Sequence, residues 1–157
     1  MVSKEVEKLL LKVQKPGRYV GGELNEVIKD KKKVDCRFAF CFPDTYEVGM
    51  SHLGMKILYS LMNAVPYIWC ERVFAPWVDM EEEMIKHNIP LYALESGDPV
   101  SDFDFIGFTL QYELSFTNML NMLRLSGVPI KSCDRKELKN IVVAGADCRF
   151  CRYFLHR

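Results

Sequence analysis

No surplus of charge, no long apolar run and no familiar catalytic signature marks this chain. Its 157 residues carry 21 basic and 21 acidic side chains, a formal net charge of zero. Nucleic-acid-binding domains usually show a basic surplus, and polybasic membrane anchors require one, so neither class is expected. No stretch approaches the ~18 apolar residues of a transmembrane helix. The N-terminus, MVSKEVEKLLLKVQK, is charged throughout and lacks the pattern of a secretory signal. A cytoplasmic location is the expectation. Six cysteines (Cys36, Cys41, Cys70, Cys133, Cys148, Cys151) would then sit in a reducing compartment, where disulfides are not expected.

Catalytic fingerprints are missing too. There is no G-x-G-x-x-G after the first apolar run, no G-x-x-x-x-G-K-[ST] and no G-x-S-x-G elbow. Dinucleotide, nucleoside-triphosphate and serine-hydrolase sites therefore lack their signatures. The three histidines (His52, His87, His156) are scattered without metal-ligand spacing. Cys36 and Cys41 lie five apart on one predicted strand, so they point to opposite faces and do not share a metal. Cys148 and Cys151 form a C-x-x-C pair, half of a metal site without a second pair at zinc-ribbon spacing.

What remains is a folded domain. Hydrophobic residues make up 49% and charged residues 27%, the balance of a globular chain. This length buries roughly two thirds of its unfolded surface, so no metal or disulfide is needed for stability alone. Residues 3–14 read as a helix, with Ser3 as N-cap and Val6, Leu9, Leu10 and Val13 on one face, stopped by Pro16-Gly17. Residues 18–33 read as a connecting arm with a turn of helix near 23–28, and the charge run 29–33 as a solvated surface. Continuous apolar runs at 36–42, 67–74, 89–94, 103–110 and 141–144 read as strands. Helices are predicted at 52–64, from Pro76-Trp77 to His87, and at 113–126, the last ended by Gly127. Glu81, Glu82 and Glu83 are expected to face water.

Alternating strands and helices, with strands apolar throughout, predict a parallel sheet of about five strands covered on both faces. The fold class is α/β, doubly wound and flavodoxin-like. The expected organisation is an N-terminal helix and arm (1–33), the α/β domain (34–146) and an atypical tail (147–157). Ligands of such folds bind at the carboxyl edge of the strands. Three loops reach that edge: PDTYEVGMSHLG (43–54), TLQYE (109–113) and Ala144-Gly145-Ala146. They supply Asp44, Tyr46, Gly49, Ser51, His52, Gly54, Gln111, Tyr112, Glu113 and Gly145 as candidate cofactor-binding residues. Each also has a simpler role. Histidine at a helix start more commonly caps than ligates, the glycines serve turns, Asp44 is a common turn residue, and Glu113 suits a helix N-terminus.

KPGRYVGGELN (15–25), FAFCFPDTYEVGMSHLGMKILY (38–59), CERVFAPWVDME (70–81), LESGDPVSDFDFIGFTLQYELSFTNMLNML (94–123) and VVAG (142–145) together resemble the N-terminal region of a family of bacterial radical S-adenosylmethionine (SAM) proteins. The resemblance implies a cobalamin-binding-like domain placed before a radical barrel. It implies cobalamin as the cofactor of this domain. The iron–sulfur cluster, on a C-x-x-x-C-x-x-C motif, and SAM would belong to the barrel. No such motif occurs here, so this chain is not expected to make a radical, and it reads as truncated before the radical core. After Gly145 the family continues with a second glycine and a proline, whereas Ala146-Asp147-Cys148 follows here. The D-x-H-x-x-G motif of base-off cobalamin domains is also absent. His52, in MSHLG, lacks the aspartate two residues before it and is not assigned as a cobalt ligand.

The leading expectation is a domain that binds a cofactor or substrate at the strand-end edge and covers a radical SAM barrel, in the same polypeptide or as a split gene product. A small-molecule cofactor is the other partner; nucleic acid and membrane are not. Two alternatives stay open: a stand-alone flavodoxin-like interaction module without cofactor, and a zinc or redox site on Cys148 and Cys151.

Overall fold

The computed structural model describes residues 4–145. Ser3 and the tail with Cys148, Cys151 and His156 lie outside the described residues. The elements run α1 (Lys4–Leu10), β1 (Cys36–Phe42), α2 (Tyr46–Ser51), α3 (Leu53–Ala64), β2 (Ile68–Phe74), α4 (Val78–His87), β3 (Phe105–Thr109), α5 (Ser115–Leu125) and β4 (Ile141–Gly145). The four strands form one parallel sheet in the order β2-β1-β3-β4. The chain leaves β1 for β2 on one side and later crosses to β3 on the other. The order reverses between β1 and β3, as in flavodoxin-like folds. The protein is a doubly wound α/β fold.

Strand alternation divides the core in two. Ala39, Cys41, Val73, Ile106 and Phe108 face one side, where Met80 and Met84 of α4, Met122 and Leu123 of α5, and Val6 and Leu9 of α1 cover them. Phe40, Phe42, Cys70 and Phe74 face the other, against Met55 and Tyr59 of α3. Both α4 and α5 end where the backbone turns left-handed, at Asn88 (φ 53°) and Gly127 (φ 69°). In each case the following residue's N–H reaches back to a carbonyl of the last turn: Ile89 to Met84 at 2.9 Å, Val128 to Leu123 at 3.0 Å.

Several expectations need correction. The apolar run 89–94 is not a strand, so the sheet has four strands among the described residues, not five. Leu91, Tyr92, Ala93 and Leu94 are buried, but the segment makes only an isolated antiparallel bridge, Tyr92 to Pro99. Leu94 N–H bonds Arg72 O on the outer edge of β2 at 3.0 Å, and the chain then turns away so that the Glu95 carboxylate reaches Arg72. The loop after β1 contains a short helix, α2. The charge run is only partly solvated: Lys29 Nζ donates to the carbonyls of Asn63 and Val65 (both 2.8 Å) and of Ile68 (2.5 Å), and burial lowers its pKa. Lys31 pairs with Asp98 at 2.5 Å. Two of the three glutamates of α4 also have partners, Glu81 on Arg124 of α5 and Glu83 on Lys12.

The arm wraps the β2 side of the domain. Lys15 and Arg18 both reach Glu47 of α2, and the Arg18 guanidinium holds that carboxyl down at about 2. Tyr19 is buried; its hydroxyl accepts Trp77 N–H at 3.1 Å and its carbonyl accepts from Tyr92 Oη at 3.1 Å. Gly21 has φ 67°, and a Cβ there would stand 2.6 Å from Leu94 O, so both conformation and space require glycine.

As an edge strand, β2 would expose unpaired backbone groups. Here they are occupied. Buried Asn63 donates to Cys70 O at 2.9 Å and accepts Cys70 N–H at 3.0 Å, doing the work of a neighbouring strand with one amide. Replacing it strands two buried backbone groups at roughly 1–3 kcal/mol each. Asn63→Ala is expected to lower unfolding free energy by roughly 2–6 kcal/mol in urea titrations followed by tryptophan fluorescence. A loss below about 1 kcal/mol would mean that water replaces the amide.

Candidate functional site

The carboxyl edge of the sheet gathers part of the predicted set. At the point where strand order reverses, the loop leaving β1 and the loop leaving β3 meet. Tyr112 Oη donates to Asp44 Oδ2 at 2.7 Å, and Asn118 of α5 donates to Pro43 O at 2.9 Å. The other oxygen of Asp44 accepts Thr45 N–H at 2.7 Å. The carboxylate that accepts the Tyr112 proton raises the phenol pKa. Gln111, exposed, donates to Thr109 Oγ1 at 2.5 Å. Gly145 ends β4, and its carbonyl accepts Leu110 N–H at 2.8 Å. A Cβ on Gly145 would meet nothing within 4 Å among the described residues. Glu113 is exposed in the turn before α5.

The remaining predicted residues fall on α2 and its junction with α3. Tyr46 begins α2; its hydroxyl donates to Glu23 of the arm, its ring meets Phe74 edge-on, and burial with that carboxylate pushes its pKa up to about 12. Gly49 is buried against Phe74 and Phe42, and a Cβ would clash with the Phe74 ring. Its glycine identity is a packing requirement of α2. Ser51, exposed, donates to Val48 O at 2.8 Å. His52 caps α3, with Nδ1 accepting Met55 N–H at 3.1 Å and the ring tilted against Phe42. Gly54 follows in the first turn, where a Cβ would press His52 Cε1 at 3.0 Å.

The tautomer of His52 bears on cobalamin. A neutral imidazole that accepts at Nδ1 carries its proton on Nε2. A histidine that ligates metal through Nε2 instead donates from Nδ1 to an oxygen. His52 therefore does not fit as a cobalt ligand in this structure. Among the described residues no group of three or more His, Cys, Asp or Glu is placed to hold a metal.

A concave feature lies elsewhere. A cavity of about 550 Å³ opens between the arm, α2, α3 and β2. Arg72, in the middle of β2 and 6% exposed, lines it. Arg72 Nε donates to Glu95 Oε1 at 2.6 Å, while the backbone N–H of Arg72 donates to Glu95 Oε2 at 2.7 Å. The guanidinium stacks over the Tyr59 ring, 4.6 Å from its centroid. Glu95 is buried behind it. None of Arg72, Glu95 and Tyr59 was singled out by sequence reasoning. A signal was present: IWCERVF places two charges inside a buried strand, and buried charges demand partners.

Comparison with protein families matches residues 54–156 to the family described as radical SAM proteins, N-terminal. No curated protein and no solved structure matches the chain. Among the described residues, no helix is long and apolar enough to cross a membrane.

The cap analysis gives an expected outcome. His52→Ala should cost about 1 kcal/mol, as for loss of a helix cap, measured by thermal unfolding. Absorption spectra of hydroxocobalamin titrated into wild type and His52→Ala should coincide. A histidine–cobalt spectrum present in wild type and lost in the variant would overturn the assigned tautomer.

Proposed function

We propose, from the premise that this chain belongs to the family of radical SAM protein N-terminal domains, that it covers a radical SAM core and docks on it through an unpartnered sheet face. One observation carries this reading. Doubly wound parallel sheets are covered on both faces, yet one face of β3 and β4 has no helix over it among the described residues. Phe38, Phe105 and Ile141 are register neighbours on that face, with Val143 beside Gly107. Phe38 and Phe105 stack at 6.1 Å and are half-buried, whereas Ile141 and Val143 are 52% and 43% exposed. Leu58 and Leu61 of α3 extend the surface, 49% and 61% exposed. Exposed apolar side chains gathered on an uncovered sheet face mark an interaction site.

The occupant this reading names is the radical SAM core, whose cluster and SAM chemistry lie outside the motifs of this chain. The domain supplies a rigid cover and brings its carboxyl edge, with Asp44, Tyr112 and Gly145, toward the partner. Cofactor or substrate contact at that edge belongs to the same proposal. Cobalamin remains the cofactor suggested by the resemblance, and it would have to bind without His52 as ligand.

The test supplies a core polypeptide carrying C-x-x-x-C-x-x-C in trans and follows complex formation by size-exclusion chromatography with light scattering. Wild type is expected to co-elute with the core. The pair Leu61→Lys and Val143→Lys should weaken binding by at least about tenfold, 1.4 kcal/mol. Co-elution unaffected by the substitutions would place the interface elsewhere. Self-association of the chain alone, abolished by the same pair, would favour a stand-alone interaction module.

A further inference from the structure

The geometry points to a second site, separate from the docking face: a pocket under the N-terminal arm that takes a small organic monocarboxylate with an apolar body, its carboxylate on Arg72. The cavity of about 550 Å³ lies within the usual range for small-molecule pockets. Its decisive feature is an unfinished hydrogen-bond set. The Arg72 side chain is only 7% exposed. Its Nε is committed to Glu95, and Nη1 meets only the weakly accepting thioether of Met50 at 3.4 Å. Nη2 is fully buried and has no hydrogen-bond partner. It is the only buried side-chain nitrogen or oxygen left so among the described residues. An unmet buried donor is costly, more so on a charged group.

The chemistry of the missing acceptor follows from what surrounds it. A guanidinium presents a planar fork that matches a carboxylate. Glu95 already neutralises Arg72 from behind, and Lys56 on the cavity wall adds a second positive charge. Glu23, on the arm side, acts in the opposite sense. Its carboxylate accepts from Tyr46 and adds, after Glu95, to the charges that raise the Arg72 pKa against burial. It repels a second negative charge, which selects against phosphates and dicarboxylates. Val27, Met50, Met55 and Tyr59 supply apolar lining. The Tyr59 hydroxyl accepts Val27 N–H at 2.8 Å, so arm and helix close the pocket together.

Phenylacetate is the probe, with inorganic phosphate as control, each titrated into the ¹⁵N-labelled chain. Saturable shifts at residues around the cavity are expected for phenylacetate in the low-millimolar range typical of a ligand this small. Ser60→Trp, at an exposed position of α3 on the cavity wall, should abolish saturation while the rest of the spectrum stays that of the folded protein. Lys56→Glu should weaken binding several-fold. Absence of saturable shifts would overturn the proposal. So would saturation that survives Ser60→Trp, or phosphate shifting the same amides equally well. Arg72→Lys, if it folds, should lose binding as Ser60→Trp does.

Discussion

Two buried ion pairs on one strand organise this domain. Glu71 and Arg72 are consecutive in β2 and therefore point to opposite faces of the sheet. Glu71 takes Arg37 of β1, whose guanidinium lies over the Phe103 ring at 4.2 Å, and it also accepts Ser96 N–H at 3.0 Å. Arg72 takes Glu95 on the other face. The neighbours Glu95 and Ser96 thus serve neighbours of opposite orientation, which is possible only if the chain passes around the edge of β2. Breaking a buried pair of this kind costs roughly 3–5 kcal/mol, more than a few extra ladder hydrogen bonds return. The segment 89–98 is therefore a clamp rather than a fifth strand.

The same constraint explains why the edge of β2 is closed. Its outward backbone groups meet the Asn63 amide, Leu94 N–H, the Glu95 carboxylate and the Lys29 ammonium. Three of these four partners are side chains from elements far apart in sequence. The arm is held in turn by what it closes: Glu23 by Tyr46, Val27 by Tyr59 and Trp69, Lys29 by the end of α3. The edge and the arm stabilise each other, and the pocket is the space left between them.

Local pattern made much of this legible. The run CRFAFCF marks β1 from end to end, because a central strand buried on both faces leaves a continuous apolar signal. β3, β4, α3 and the Gly127 stop follow from the same kind of reasoning, with boundaries shifted by one or two residues. The errors share a cause. LYAL is as apolar as a strand, but its pairing is decided by Arg72, some twenty residues earlier. The lysine run looks solvated until Lys29 finds three carbonyls between the end of α3 and the start of β2. The candidate site divides for a related reason. Asp44 and Tyr112 meet because the fold topology places their loops together, whereas Tyr46, Gly49 and His52 follow α2 toward the arm. Arg72 stayed hidden because its partner and its stacking ring are both contacts at long range.

The central strand also ties the pocket side to the face proposed for docking. Phe40 belongs to the cluster with Tyr59 and Met55, which line the cavity, and Phe38 lies two residues away at the uncovered face, above Gly107. Their rings meet edge-on at 6.2 Å. Alternation puts both on the same side of the sheet, so α3 covers one and leaves the other half-bare. A partner that covers Phe38 and Val143 would also press on the Leu58 and Leu61 flank of α3, the helix whose opposite flank carries Lys56 and Ser60 of the pocket wall. Close-packed interiors transmit displacement with little compliance. In the proposed arrangement a contact made on one flank of α3 bears on a helix whose other flank lines the pocket, which makes the two proposed sites mechanical neighbours.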